Sequence, residues 1–464
     1  MADSVGNGTS KRVVLLVTTT ASFIFPFTLS AVNIALPSLG KELSLDAIML
    51  SWIATAYLLS SATFIVPFGR IADIYGRKRI FIWGIVIFTL ASLFAGLANS
   101  ATMLISCRAF QGIGGAMFGG TAIALLTTVF PANERGKVLG INVAVTYTGL
   151  SLGPALGGIL THHLGWRSIF FLSTLLGLAV ISVVFWKLKG EWTGAKGERF
   201  DFAGSVIYIL GLVALVYGFT LLQESSGMWL GACLIAGGLA ALWAFIRWEM
   251  RTRSPVLDIS LFRNSRTFAF SNLAALINYS ATWAVSFLIS LYLQYLKGFN
   301  PQSAGLILIA MPAMQAFFSP LAGRLSDRIE PRLIASAGMV LTTVGLVIFI
   351  FLTTETPLAL IIGNLMLMGF GFALFSSPNT NAVMSSAPKT AYGVASATLA
   401  TMRQIGMVFS MGVAMLMFTL YIGRVQITPE YYSLFQTSMK TSFIIFAVLC
   451  FGGIFASLAR GKVR

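Results

Sequence analysis

Gly69-Arg-Ile-Ala-Asp-Ile-Tyr-Gly-Arg-Lys-Arg79 sets one carboxylate, Asp73, among Arg70, Arg77, Lys78 and Arg79. The stretch holds no nucleophile beside a base and no pair of acids, so its chemistry is that of an electrostatic clamp. A carboxylate at such a helix–loop junction can pair with basic groups and with a helix N-terminus. Gly69 and Gly76 fit a tight turn and a close helix approach. A shorter copy, Gly323-Arg-Leu-Ser-Asp-Arg328, brings Gly323, Arg324, Asp327 and Arg328 together before Ile329-Glu330-Pro331. A plain basic loop accounts for the arginines but not for the acid and the glycine spacing. We therefore read both islands as a conformational latch, the second the weaker.

Two further cations lie inside apolar runs. Arg108 falls in a helix over Ala101–Phe130, about 10 Å deep at 1.5 Å per residue. A charge there costs about 2.5–3.5 kcal/mol on insertion scales and marks a pathway or a pair; snorkelling to the interface is the plain alternative. At a similar depth, about 14 Å, Thr28 of the first helix could face it. Arg403 falls near the bilayer midplane beside Gln404, and it either lines a pathway or bonds to neighbouring helix groups. Asn33, Gln111, Asn278, Tyr279 and Trp283 are the other polar or aromatic candidates for a transport pathway. None of the 15 acids lies in the middle third of a helix, which leaves Glu42 and Asp46 near the outer mouth as candidate proton carriers. His162 and His163, at the outer end of the fifth helix, read as solvated. Gly149, Gly153, Gly157 and Gly158 line one helix face with Pro154 beside them, a spacing that suits a hinge and tight seam or ordinary packing.

Several classes drop out. No metal cluster, nucleotide loop or catalytic constellation is present, so neither an enzyme nor a cofactor is expected. Gly112-Ile-Gly-Gly115 lies inside a helix rather than after a strand. The net charge of +16 sits in short loops, with no basic domain for nucleic acid. The three cysteines fall inside apolar runs, so no disulfide framework is expected.

The elements that position these residues are membrane helices. The chain is 57% hydrophobic and 10% charged, with a mean hydropathy of +0.85. Runs of about 20 apolar residues recur throughout. We place fourteen helices, from Val13–Pro37 to Thr437–Leu458. The first run is too long for a cleavable leader. An even number puts both termini on one face. Of the 31 Lys and Arg, 24 share that face, five lie opposite and two are inside helices, so the positive-inside rule puts both termini in the cytoplasm. Eight helices separate the two islands, so a six-helix repeat needs two inserted helices. The expected organisation is an all-α polytopic membrane protein with a six-helix bundle at 13–186, two extra helices at 202–246 and a second six-helix bundle at 267–458. Two such halves favour alternating access over a channel.

Gly69–Arg79 is similar to the loop signature of the major facilitator superfamily. Arg108-Ala-Phe-Gln-Gly112 resembles its helix-four signature, and Gly149–Gly158 the helix-five signature found mainly in its antiporters. Asn33-Ile-Ala-Leu-Pro37, Trp52–Tyr57, Trp166–Phe171 and Tyr292-Leu-Gln294 followed by Ala304-Gly305 are similar to the fourteen-helix drug–proton antiporter branch. The resemblance covers nearly the whole chain. It implies a plasma or inner membrane exporter of lipophilic small molecules or drugs, such as antibiotics, and it implies that the helix-five glycines form a seam at the bundle interface. It also puts Thr28 where that branch usually carries a proton-binding aspartate. Threonine has neither charge nor an accessible titration. Proton antiport therefore stands beside an exporter or uniporter of a specific anionic or neutral metabolite or lipid.

Overall fold

The computed structural model has, among its described residues, fourteen helices long and apolar enough to cross a membrane. It describes residues 10–188, 190–195, 197–222, 227–252, 254–257, 259–326, 328–387 and 392–461. In chain order the helices are α1 Lys11–Glu42, α2 Ala47–Tyr75, α3 Arg77–Gly96, α4 Ala101–Val129, α5 Val138–Leu164, α6 Arg167–Lys187, α7 Phe202–Leu221 and α8 Met228–Glu249. They continue with α9 Arg266–Leu296, α10 Pro301–Ser326, α11 Pro331–Ile350, α12 Leu358–Ser385, α13 Val394–Tyr421 and α14 Pro429–Ala459. No strand occurs among the described residues.

Polar residues at the starts fix where several helices begin. Asp46, Ser100, Asp201, Ser265 and Asn300 each accept a backbone N–H three residues on, which satisfies a donor the helix itself cannot. Inside the spans, hydroxyls such as Thr28, Ser30 and Thr121 bond back to the carbonyl four residues earlier. That removes the cost of a free hydroxyl in an apolar medium.

Helices α1 to α6 pack on one another, and so do α9 to α14. The α7–α8 hairpin is held by glycines: a Cβ on Gly231 would stand 2.9 Å from the Gly218 carbonyl, and one on Gly238 2.8 Å from that of Gly211. Helix α7 lies along the seam between the two groups. Tyr208 donates to the Ala62 carbonyl of α2 at 2.8 Å, while Phe219 packs over Gly412 of α13.

On the face away from the chain ends the two groups touch. Ser290 donates to the Asn33 carbonyl at 3.0 Å, Gln294 to that of Ile34 at 2.9 Å, and the Ala47 N–H to Val425 at 3.0 Å. A Cβ on Gly305 of α10 would strike the Pro154 carbonyl of α5, and one on Gly158 the Pro301 carbonyl. Towards the chain ends, Gly69, Gly119 and Gly140 have open space where a side chain would stand. The expected close approach at Gly69 is therefore not made in this conformation.

Candidate functional site

Below the far closure lies a cavity of about 310 Å³, walled by α1, α2, α4 and α5 on one side and by α9, α10, α12 and α13 on the other. Its surface is mostly apolar and aromatic. Phe25 meets Phe118 edge-on, and Tyr279 meets Phe372 edge-on at 5.2 Å. The hydroxyl of Tyr147, a lining residue, bonds to that of Ser376 at 2.9 Å, linking the two helix groups. Among the described residues of the lining, Arg403 is the one that is charged, and none is a carboxylate. Its guanidinium donates to Thr380 at 2.6 Å and lies 5.6 Å from the Tyr279 ring centre. Gln404 is not its partner.

Six buried polar atoms in the lining have no hydrogen-bond partner in the protein. The acceptors are the side-chain oxygens of Asn33, Asn142 and Gln404; the donors are Trp283 Nε1, Gln315 Nε2 and Arg403 Nε. Buried polar atoms are costly when unpaired, so this wall is built for a ligand or solvent that supplies both kinds of group.

Of the expected pathway residues, Asn33, Tyr279, Trp283 and Arg403 line the cavity, whereas Thr28, Gln111, Asn278 and Arg108 do not. Thr28 turns away, its hydroxyl 2.9 Å from that of Ser173 on α6, so the expected face-to-face pair with Arg108 is not formed. Arg108 is fully buried, which also excludes snorkelling in this conformation. It donates to the Ile53 carbonyl at 3.1 Å and to Gln111 at 2.9 Å, and its guanidinium stacks 4.1 Å from the Tyr57 ring centre. Gln111 passes the chain on to Ser92 at 2.7 Å. Tyr57 in turn donates to the Phe25 carbonyl at 3.0 Å, so Arg108 stands one layer behind the cavity wall. Asn278 is fully buried with both side-chain polar atoms unpaired.

The glycine run divides. Gly149, Gly153 and Gly157 press on α1 within the same helix group; a Cβ on Gly157 would lie 2.7 Å from Ala31 Cα. Only Gly158, with Pro154, meets the opposite group. The seam expected at the bundle interface is thus mostly an α1–α5 contact, because the four glycines curl around the helix as they climb it.

The first island is strapped down. Asp73 accepts from Arg77 at 2.8 Å, and Arg77 reaches the Ala124 carbonyl and Thr128 of α4. The loop between α6 and α7 crosses it: the N–H groups of Gly194 and Ala195 both bond to the Asp73 carbonyl at 2.9 Å, and Glu198 pairs with Arg70. Glu191 accepts the Lys78 N–H at 2.8 Å and lies 3.7 Å from Arg79. Gly76 is required here, with φ at +126° and the Glu191 carboxyl where a Cβ would be. In the second island Arg324 and Arg328 are exposed, Ser377 lies against Gly323, and Asp327 lies outside the described residues. Glu42 and Asp46 are both engaged, the first with Arg167 and Trp166, the second as a helix cap. His163 is in contact with Gln302 of the opposite helix group at 3.1 Å.

Asn142, Tyr147 and Gln315 of the cavity, and Glu191 and Glu198 of the strap, were not anticipated. The acids gave a usable signal, since they concentrate in the one loop that faces a basic island.

Among the described residues, fourteen helices long and apolar enough to cross a membrane surround the cavity and define a polytopic membrane protein. Residues 18–246 and 271–463 match the Major Facilitator Superfamily, and the chain belongs to it as a membrane transporter. It is 30% identical over 447 residues to a riboflavin transporter of Clostridioides difficile, covering 96% of each chain. It is 33% identical over 384 residues to a multidrug resistance protein of Mycobacterium tuberculosis, covering 81% of this chain and 70% of the other. A cephamycin export protein of Amycolatopsis lactamdurans is 32% identical over 405 residues, 86% and 83% of the two chains. Among solved structures, an inward-facing bacterial homologue of the lysosomal transporter Spinster superposes with a TM-score of 0.66 at 17% identity, covering 97% of each chain.

Proposed function

We propose that this chain is a secondary active exporter of the cell membrane, working by alternating access on lipophilic small molecules that are neutral or anionic. The observation that carries this reading is the cavity wall. It is apolar and aromatic, and among its described residues Arg403 is the one charge and none is a carboxylate. A cation would meet an uncompensated like charge there, whereas an anion or a neutral acceptor would complete the Arg403 donors. The relatives named for multidrug resistance and cephamycin export support the export reading. The concentration of basic residues on the face of the chain ends supports cytoplasmic termini. Proton antiport is the coupling we favour, driven from carboxylates outside the cavity.

A second reading, export or uniport of one specific neutral metabolite, is supported by the unpaired donors and acceptors and by the riboflavin transporter that matches end to end. The test uses purified protein in liposomes carrying an internal pH dye, with cationic, neutral and anionic lipophilic compounds added singly. Proton-linked movement of neutral or anionic compounds upholds the first reading. Saturable flux of one compound without proton movement favours the second. Proton release driven by cations alone overturns the charge assignment.

A further inference from the structure

At the base of the α7–α8 hairpin two carboxylates meet in a place the proposed transport cycle leaves unused. Asp201 caps α7: its Oδ1 accepts the Gly204 N–H at 2.9 Å and its Oδ2 the Trp248 indole N–H at 2.9 Å. Glu249, the last residue of α8, is only 3% exposed. Its Oε2 accepts the Leu257 N–H at 2.9 Å, while its Oε1 is buried with no partner. Asp201 Oδ2 and Glu249 Oε1 both point into the space over Gly204, where a Cβ would stand 2.5 Å from the first and 2.7 Å from the second.

Two ionised carboxylates this close repel, and a buried carboxylate oxygen without a donor is costly. One proton on this pair relieves both costs, since it removes the repulsion and the uncompensated buried charge. The donors decide which residue carries it. Both oxygens of Asp201 accept hydrogen bonds, whereas Oε1 of Glu249 has no donor. Among the described residues, the charged groups facing Glu249 are Asp201 at the α7 cap and Arg70 of α2, whose charge reaches it. Arg70 is itself paired with Glu198 of the strap. From this packing we infer that Asp201 and Glu249 form a proton-binding site, with the proton on Glu249 Oε1 and released to the solvent at the face of the chain ends.

The inference depends on the transport reading only for its purpose, since it supplies a carboxylate for coupling that the cavity lacks. The place suits that purpose: α7 leans on both α2 and α13, so a charge change at its base is felt by both helix groups.

The test is an infrared pH titration of the full chain in lipid nanodiscs, without substrate, following the carboxylic acid C=O stretch. The wild type is expected to show a buried-acid band that is lost as the pH is raised. Glu249→Gln removes that band. Asp201→Asn keeps a capping residue but lifts the repulsion, moving the midpoint to acid by about one pH unit. A wild type without such a band overturns the site, as does a band unchanged in Glu249→Gln or a midpoint unmoved in Asp201→Asn. Because no substrate is present, the site and the transport reading fail separately: flux without the band sinks the site, and the band without flux for any compound sinks the transport reading.

Discussion

Arg403 and Arg108 both lie within long apolar helices, yet of the two only Arg403 lines the cavity. Arg403 lines the cavity with its Nε unpaired. Losing a charge-assisted hydrogen bond costs about 1.5–3 kcal/mol, so Arg403→Gln should raise KM for anionic compounds by about 10-fold or more and leave cations no worse. Arg403→Lys should recover part of the loss, and initial rates in proteoliposomes measure both. Arg108 is enclosed by Tyr57, Ile53 and Gln111. Arg108→Ala leaves buried acceptors without their donor, at about 1–3 kcal/mol each. It should lower the melting temperature while the charge preference of any residual transport stays unchanged; an altered preference would place Arg108 in the pathway after all. That both arginines are special was legible in the sequence. Which one faces the cavity was not, because helices apolar on every side carry no polar stripe to orient them. Thr28 shows the same limit: its lack of charge could be read, but its turn towards Ser173 depends on where α6 packs.

Helices and loops were legible to different degrees. Fourteen spans and their order follow from runs of apolar residues broken by charge, and the caps at Asp46, Ser100 and Asn300 agree with the starts. The strap over the first island was hidden, since a loop of Glu191, Trp192 and Glu198 finds its partners through the fold of six helices rather than by spacing. It changes what Asp73 is expected to do. Its carboxylate holds Arg77 against α4, and its carbonyl holds the strap. Both charges are partly exposed, and such pairs contribute about 0–1 kcal/mol to stability. Asp73→Lys should therefore leave expression and melting temperature nearly unchanged while cutting transport at least about 10-fold if the island acts as a latch. Normal flux in that variant would reduce the island to a fold element.

At the scale of the whole molecule, two helix groups meet on the face away from the chain ends. In the alternating-access cycle we propose, these far contacts must break for transport to proceed. They are made by a few backbone carbonyls and small residues: Asn33 and Ile34 on α1, Pro154 and Gly158 on α5, against Ser290, Gln294, Pro301 and Gly305. Such contacts are close but contain no buried ion pair, which suits a closure that has to open repeatedly. The His163–Gln302 contact reports on this closure, since the side chains come from opposite groups and lie 3.1 Å apart. In a background with the exposed Cys233 replaced by Ser, the pair His163→Cys and Gln302→Cys should be joined by a short, reducible thiol-to-thiol cross-linker, which spans more than the Cβ separation a direct disulfide needs. Cross-linking should abolish flux, and reductant should restore it, with each single variant indifferent to both treatments. The native histidine bond is exposed, so the uncross-linked double variant should transport normally. Full flux through the cross-linked protein would mean that this closure does not open during transport, and the two groups would then have to admit substrate by another route.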